Sequence, residues 1–97
     1  MSFQKAVQLN PNNKEARYAL GHVYALQGKL PYAEEQFRAA LKIDENYSEA
    51  HTYLGQVLAN QDRWGEAVQS YRSALANPLN PTPDLARFHL GRALAHQ

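Results

Sequence analysis

The sequence has no cysteine and almost no net charge. Without cysteine, neither a disulfide nor a thiolate metal site can form. The formal charge at pH 7 is +1, because nine acidic residues nearly balance ten basic ones. That balance argues against a nucleic-acid surface, which needs clustered Lys and Arg. No apolar run approaches the length of a membrane-spanning helix, and the first residues lack the apolar stretch of a signal peptide. We therefore expect no direct membrane insertion by this segment.

Patterns of catalytic and metal-binding residues are also lacking. The four histidines include no His-x3-His pair on one helical face. Glu34 and Glu35 are adjacent, so they would point to different parts of a helix rather than form an acid/base pair. No serine lies in a Gly-x-Ser-x-Gly setting. We predict a protein that is not an enzyme and that uses no metal and no cofactor.

The sequence does contain an internal repeat. Gly21 and Gly55 lie 34 residues apart, and many residues around them recur at the same spacing. A fixed period of this length is typical of small units stacked side by side, which create long concave surfaces. The matching pairs are Ala16/Ala50, Leu20/Leu54, Val23/Val57, Ala25/Ala59, Gln27/Gln61, Ala33/Ala67, Phe37/Tyr71, Arg38/Arg72, Ala40/Ala74 and Leu41/Leu75.

Each unit is predicted to form two short amphipathic helices joined by a turn. The first unit spans residues 14–47 and the second spans residues 48–81. Pro31 suits the first turn of a helix, and Ser48 is a predicted N-cap. The predicted helices run over residues 14–27, from Pro31 onwards, over residues 48–60 and over residues 65–76.

Three glycines lie inside predicted helices, namely Gly21, Gly55 and Gly91. A glycine there costs about 1 kcal/mol relative to alanine, so a compensating gain is expected. We predict close approach of the paired helix, which offers the small residues Ala33 and Ala67 at the same level.

Both ends of the chain match half a unit. Residues 1–11 match the second helix of a unit, because Phe3 and Ala6 correspond to Phe37 and Ala40. Residues 84–97 match a first helix, at an offset of 36 rather than 34. The extra residues fall in a connector at 77–83, whose three prolines predict a stiff, extended segment. The whole chain, residues 1–97, is then one domain of about six helices.

These residues resemble the tetratricopeptide repeat (TPR) family. Its 34-residue helix-turn-helix unit carries the signature W-x2-L-G-x2-Y, a later A-x3-F and a terminal Pro. The chain departs from the signature at the Trp slot, which holds Arg17, His51 and Arg87. The resemblance implies an all-α TPR-type α-solenoid of antiparallel helix pairs that acts as a non-catalytic protein-binding scaffold. The matching residues are Leu20, Gly21, Tyr24, Ala33, Phe37 and Ala40, then Leu54, Gly55, Leu58, Ala67, Tyr71 and Ala74, and finally Leu90, Gly91 and Leu94.

A narrower resemblance covers residues 76–91. This stretch is similar to the Pro-interrupted connector and following helix of bacterial TPR lipoproteins of type IV pilus biogenesis, which help the outer-membrane secretin to assemble. That resemblance implies a location in the bacterial periplasm, associated with the outer membrane; without it, a cytoplasmic location is expected. The lipidated cysteine of those proteins has no counterpart here, so membrane anchoring is not implied. A generic repeat protein with an irregular linker is the alternative.

The resemblance also implies where a ligand binds. In TPR proteins the first helix of each unit lines a concave groove. The predicted groove positions vary in residue type while the packing positions repeat, which favours a recognition surface over merely solvated positions. Their mixed chemistry suits a protein or peptide partner held by hydrogen bonds and aromatic contacts. The positions are Glu15, Tyr18, His22 and Leu26, then Glu49, Thr52, Gln56 and Asn60, and lastly Leu85, Phe88, Arg92 and His96.

One familiar TPR ligand is disfavoured. The acidic C-terminal tail of cytosolic chaperones requires a clamp of Lys, Asn and Arg on successive first helices. The corresponding slots here hold Tyr18, His22, Tyr53, Leu85 and His89.

The two half-units suggest self-association as an alternative function. A helix of this kind cannot bury its apolar face alone, and Phe3, Val7 and Leu9 at one end complement Leu90 and Leu94 at the other. We expect a possible homo-oligomer, formed head-to-tail or by exchange of terminal helices. The simpler alternative is that the chain is part of a longer array of repeats.

Overall fold

The computed structural model describes residues 3–97, apart from the side chain of Phe3, and folds them into six α-helices. The prediction of an all-α solenoid of about six helices is confirmed. No strand occurs within residues 3–97. The helices are α1 (Phe3–Leu9), α2 (Lys14–Leu26), α3 (Leu30–Ile43), α4 (Ser48–Ala59), α5 (Trp64–Ala76) and α6 (Pro83–His96).

One predicted helix cap is wrong. Ser48 is the first residue of α4 rather than its N-cap, which is Tyr47. The Ser48 side chain is buried, and its hydroxyl donates a hydrogen bond to Glu49 over 3.0 Å. A side-chain cap occurs instead at α2, where Asn13 Oδ1 accepts a hydrogen bond from the backbone N–H of Ala16 at 3.1 Å. It satisfies one of the backbone donors that a helix start leaves free.

The helices form two rows, which gives the stack a curvature. Each helix packs against its neighbours in sequence, from α1·α2 to α5·α6. In addition α2 contacts α4 and α4 contacts α6, whereas no Cα of α3 lies within 8 Å of a Cα of α5. The row α2, α4 and α6 is therefore the more closely spaced and lies on the inner, concave side. We call it the inner row, and α1, α3 and α5 the outer row.

A glycine in the inner row meets an aromatic ring in the outer row at two equivalent places. A Cβ atom added to Gly21 would lie 3.0 Å from Phe37 Cδ1, and one added to Gly55 would lie 2.5 Å from Tyr71 Cε1. Both rings are fully buried. Because these glycines lack a side chain, α3 packs closely against α2 and α5 packs closely against α4. The predicted partners are wrong, since the glycines face the rings of Phe37 and Tyr71 rather than Ala33 and Ala67. A Cβ added to the third glycine, Gly91, would meet nothing within 4 Å.

The hydrophobic core is centred on α4, which has helices on both flanks. Residues of α4 interdigitate with both outer helices that flank it, and Ala93 of α6 closes the far side. The core cluster comprises Ala33, Phe37, Leu54, Val57, Leu58, Ala67, Val68, Tyr71 and Ala93. A second, smaller cluster of Val7, Ala16 and Leu20 joins α1 to α2.

One of the predicted self-association residues, Val7, is not available for that role. Val7 is only 8% exposed because it packs on Ala16 and Leu20 of its own chain. Leu90 is half-buried against the core cluster. Leu9 and Leu94 are exposed, as self-association would require, and the side chain of Phe3 lies outside the described residues.

The connector between α5 and α6 is held by two asparagines. Asn80 is buried; its Nδ2 donates to the carbonyl of Ala74 at 3.0 Å and its Oδ1 accepts from the N–H of Thr82 at 2.8 Å. Asn77 Nδ2 donates to the carbonyl of Asn46 at 2.7 Å. These bonds fix the angle at which α6 leaves α5, with Pro83 in the first turn of the helix.

The surroundings of Gly55 and Gly91 predict that substitution by alanine has opposite effects on stability at these two positions. Gly55→Ala forces Cβ into the Tyr71 ring, and such overpacking should lower the free energy of unfolding by about 1–2 kcal/mol. Gly91→Ala meets open space, so the higher helix propensity of alanine should raise it by about 0.5–1 kcal/mol. Urea unfolding followed by circular dichroism measures both. Equal shifts in the two variants would contradict the packing role of Gly55.

Candidate functional site

The predicted groove residues fall into three classes of exposure on the inner row. Thr52 alone is fully buried. The half-buried residues are Tyr18, His22, Glu49, Gln56 and Leu85, and the exposed ones are Glu15, Leu26, Asn60, Phe88, Arg92 and His96. The structure thus leaves a surface of mixed aromatic, amide and charged side chains on these three helices.

Thr52 is a correction to the sequence prediction. It is 1% exposed, and its hydroxyl donates to the carbonyl of Ser48, within its own helix, at 3.2 Å. The prediction transferred the position of Tyr18 by one repeat. Because α4 is packed on both flanks while α2 has only the short α1 on one of them, the same slot is more deeply buried in α4. The neighbouring Tyr53 takes part in the surface instead.

Aromatic rings from α2 and α4 meet at the seam between these helices. The Tyr18 ring lies 5.3 Å from Tyr47 and 5.8 Å from Tyr53, centroid to centroid. His22 meets Tyr53 edge-on at 4.9 Å. We call Tyr18, His22, Tyr47 and Tyr53 the tyrosine cluster. Phe37, the ring that covers Gly21, lies directly beneath it, 5.9 Å from Tyr18, so the core supports the cluster from below.

Charged groups surround the Tyr47 end of the cluster. The ammonium group of Lys14 lies 5.0 Å from the centroid of the Tyr47 ring and pairs with Asp44. The hydrogen bond to Asp44 raises the pKa of Lys14, and the same bond lowers the pKa of Asp44. Glu15 and Glu49 line a cavity of about 330 Å³ beside this pair.

A second site lies between α4 and α6. We call it the α4–α6 pocket: a cavity of about 170 Å³ lined by Gln56, Ala59, Asn60, Trp64, Tyr71, His89 and Arg92. A hydrogen bond of 3.1 Å between Gln56 Nε2 and His89 Nε2 links the two helices. The rings of Tyr71 and His89 stack with their centroids 5.7 Å apart. Trp64 stacks on His96 at 4.2 Å with 9° between the ring planes.

Burial and nearby charge shift the titration of this pocket. Burial lowers the pKa of His89, and the Arg92 guanidinium lowers it further. The imidazole is therefore neutral at pH 7, since both effects disfavour its charged form. Burial also raises the pKa of Tyr71 to about 12, so its hydroxyl stays protonated.

The outer row carries an ion-pair network instead of an aromatic surface. Arg63 pairs with Glu34 at 2.7 Å and with Glu66 at 2.6 Å, and Arg38 pairs with Glu34 at 3.0 Å. Burial raises the pKa of Glu34, but the bonds from Arg63, Arg38 and Gln61 outweigh it, and the pKa is lowered. These pairs join α3 to the start of α5. Because each charge is already matched, the network is a poor anchor for a charged ligand.

Within residues 3–97, no group of three or more His, Asp or Glu side chains is arranged to hold a metal ion.

None of the six helices in the described part of the chain combines the length and the hydropathy needed to cross a bilayer.

Sequence reasoning identified about half of the residues at the two sites. It singled out Tyr18, His22, Gln56, Asn60 and Arg92, which the structure brings to the two seams. It did not predict that Tyr47, Tyr53, His89, Trp64 and Tyr71 join them. Tyr53 and His89 could have been found from the sequence, because each directly follows a predicted groove residue, Thr52 or Phe88. A helical residue at the edge of the buried face also reaches the seam between two helices.

A curved stack of paired helices with a polar-aromatic inner face defines the class of helical-repeat proteins. Family models confirm the particular family. A model described as TPR repeat matches residues 2–28 and 21–62, and a model described as tetratricopeptide repeat matches residues 54–97. The chain therefore belongs to the TPR family. Repeats of this family generally mediate protein–protein interaction and are generally non-catalytic.

A solved structure supports the fold independently. The crystal structure of MamA superposes with a TM-score of 0.77 at 19% sequence identity, over 97% of this chain. The aligned chain spans 64% of the length of MamA. No curated protein matches the sequence. Neither comparison links the chain to the lipoproteins of type IV pilus biogenesis.

The buried tyrosines predict a loss of stability in alkali. Burial raises the pKa of Tyr47 and Tyr71 to about 12, against 10.0 for a free tyrosine. These tyrosines therefore lose their protons at a lower pH in the unfolded chain than in the folded protein. Their contribution to the free energy of unfolding is complete below pH 10 and is lost as the pH rises towards 12. Urea unfolding between pH 8 and 11 should show this fall. Tyr71→Phe should weaken the pH dependence, and an unchanged pH dependence in this variant would contradict the assignment to Tyr71.

Proposed function

We propose that the inner row binds an extended segment of a partner protein, and that the protein is a non-catalytic scaffold. The observation that carries the proposal is the tyrosine cluster, in which half-buried rings from two helices form one supported surface. Tyrosine supplies large contact area and a hydroxyl at low cost in conformational entropy. The inner surface also presents amide and aromatic side chains that can recognise a ligand, such as Gln56 and Phe88.

Exposed side chains extend the surface along the inner row. Phe88 on α6 is 60% exposed, and Arg92 lies over its ring at 5.8 Å. Leu26, at the end of α2, is also exposed. A bound segment can contact the tyrosine cluster, Gln56 and Phe88 in turn, since the three helices are adjacent. Such a ligand reads several shallow positions rather than filling one deep cavity.

The assembly that this scaffold serves is proposed only at the level of a protein complex. The segment 76–91 supports type IV pilus secretin assembly through its resemblance to pilus lipoproteins, and it is the sole support for that assignment. Identifying the neighbouring genes and the complete reading frame would test it.

The first test is selection of peptides from a random display library with the wild-type protein. For a selected peptide, Phe88→Ala and Tyr18→Ala should each weaken the Kd by about tenfold or more, as expected for aromatic anchors. Tyr32→Ala, an exposed aromatic on the outer row, is the matched control and should leave the Kd unchanged. Failure to select any peptide, or equal loss in the control variant, would overturn the proposal.

Self-association is the second candidate function, and Gly91 is the observation that favours it. Gly21 and Gly55 are each covered by a ring of the following helix, but within residues 3–97 no side chain comes within 4 Å of a Cβ placed on Gly91, on the face of α6 that also carries Leu94. Leu94 is 43% exposed on that face. We propose that a helix of a second copy packs there, either head-to-tail or by exchange of terminal helices. A head-to-tail contact closes into a ring or continues as a filament.

Light scattering at increasing protein concentration distinguishes the two candidates. If self-association is the function, wild-type mass should grow with concentration, and both Leu94→Glu and Gly91→Ala should keep the protein monomeric. Gly91→Ala is informative because it should stabilise the fold while blocking close approach of a second helix. Tyr18→Ala should associate like the wild type. A wild-type monomer throughout the range would exclude this candidate and leave the groove as the function.

A further inference from the structure

We propose that the α4–α6 pocket receives an acidic side chain, Asp or Glu, from the segment bound along the inner row. The inference rests on the proposed groove function and specifies one element of the partner sequence. Its occupant is defined by the size of the cavity, the charge of its lining and the hydrogen-bond donors at its rim.

The cavity has room for a single side chain. Its volume is about 170 Å³, whereas pockets for drug-sized ligands measure roughly 300–1,000 Å³. It opens at the seam of two inner helices, because Gln56 and Asn60 lie on α4 while His89 and Arg92 lie on α6. A segment that crosses from α4 to α6 therefore passes over its mouth and can place one side chain inside.

The charge of the lining favours an anion. Arg92 is the cation at this pocket, and none of the lining residues is acidic. In residues 3–97, Arg38, Arg63 and Arg87 each pair with a carboxylate. Within the same residues Arg92, like Arg17 and Arg72, forms no ion pair, and it contacts the ring of Phe88. A guanidinium group offers five N–H donors in a planar fork that matches a carboxylate. A bound ligand can therefore supply the carboxylate that Arg92 lacks within residues 3–97.

The neighbouring polar groups strengthen this preference. The amides of Gln56 and Asn60 provide further N–H donors, and the pocket is partly shielded from solvent, so charge-assisted hydrogen bonds are strong there. Ala59 is the only aliphatic side chain in the lining, so the methylene groups of the acidic side chain would contact mainly the rings of Trp64 and Tyr71. The Trp64 ring is already stacked on His96, which leaves less of it for an aromatic ligand.

The absence of cysteine allows a direct test of the pocket. Asn60→Cys places a single thiol at the exposed rim. Thiol–disulfide exchange with the symmetric disulfide of each small probe then attaches one probe there and releases the other as the free thiol. The probes are 3-mercaptopropionate, which carries a carboxylate; cysteamine, which carries an ammonium group; 2-mercaptoethanol, which is neutral and polar; and butanethiol, which is apolar. Intact mass spectrometry measures the equilibrium amount of each mixed disulfide. The single tryptophan, Trp64, reports entry into the pocket through its fluorescence.

A matched control separates the pocket from simple attraction to a surface charge. Ala76→Cys lies one helical turn from Arg72 on α5, and both residues are exposed. We expect 3-mercaptopropionate to be favoured over 2-mercaptoethanol by about tenfold at Cys-substituted position 60, as for a charge-assisted hydrogen bond, with a change in Trp64 fluorescence. Adding Arg92→Gln should remove the preference, and the Ala76→Cys control should show about twofold or less.

Three results would overturn the inference. These are no preference for the carboxylate probe, a preference no larger than in the Ala76→Cys control, or stronger capture of butanethiol or cysteamine. The experiment involves no partner segment, so its failure leaves peptide binding by the tyrosine cluster intact. Conversely, a failed peptide selection together with strong carboxylate capture would refute the proposed groove function while supporting the pocket.

Discussion

The contact between a glycine of the inner row and an aromatic ring of the outer row governs the whole structure. Phe37 lies against Gly21 and Tyr71 lies against Gly55. A Cβ atom would fit only tightly at Gly21, 3.0 Å from Phe37, and would overlap the Tyr71 ring at Gly55. This close approach brings the axes of paired helices together and places large buried rings at the centre of each unit. The gain in packing outweighs the cost of about 1 kcal/mol that glycine imposes on a helix.

The same contact connects the core to the candidate binding surfaces. The ring of Phe37 supports Tyr18 and Tyr53 from beneath, and the ring of Tyr71 stacks on His89 at the floor of the α4–α6 pocket. Recognition groups therefore rest on side chains that cannot move without disturbing the helix pairing. A partner meets a preorganised surface, which reduces the entropy lost on binding. Neutralised ion pairs on the outer row leave recognition to the inner one.

Much of the architecture could be predicted from the sequence because it depends on local signals. The period and the punctuation by Gly and Pro lie within one unit. The partners of the glycines were not predicted, because Gly21 and Gly55 were expected to face Ala33 and Ala67 and meet the rings of Phe37 and Tyr71 instead. Transfer of positions between units was less reliable. Thr52 and Val7 were expected to be accessible and are buried, since a slot is more or less covered according to the number of helices that flank it.

The sequence by itself determined the family and the six helices, because these follow from a pattern that recurs from unit to unit. Only the tertiary structure decided which residues meet at the seams. Tyr47 and Tyr53 join Tyr18, and His89 joins Gln56, through contacts between different units. Such contacts depend on the angle between successive helix pairs, and that angle results from the packing of all the flanking side chains together.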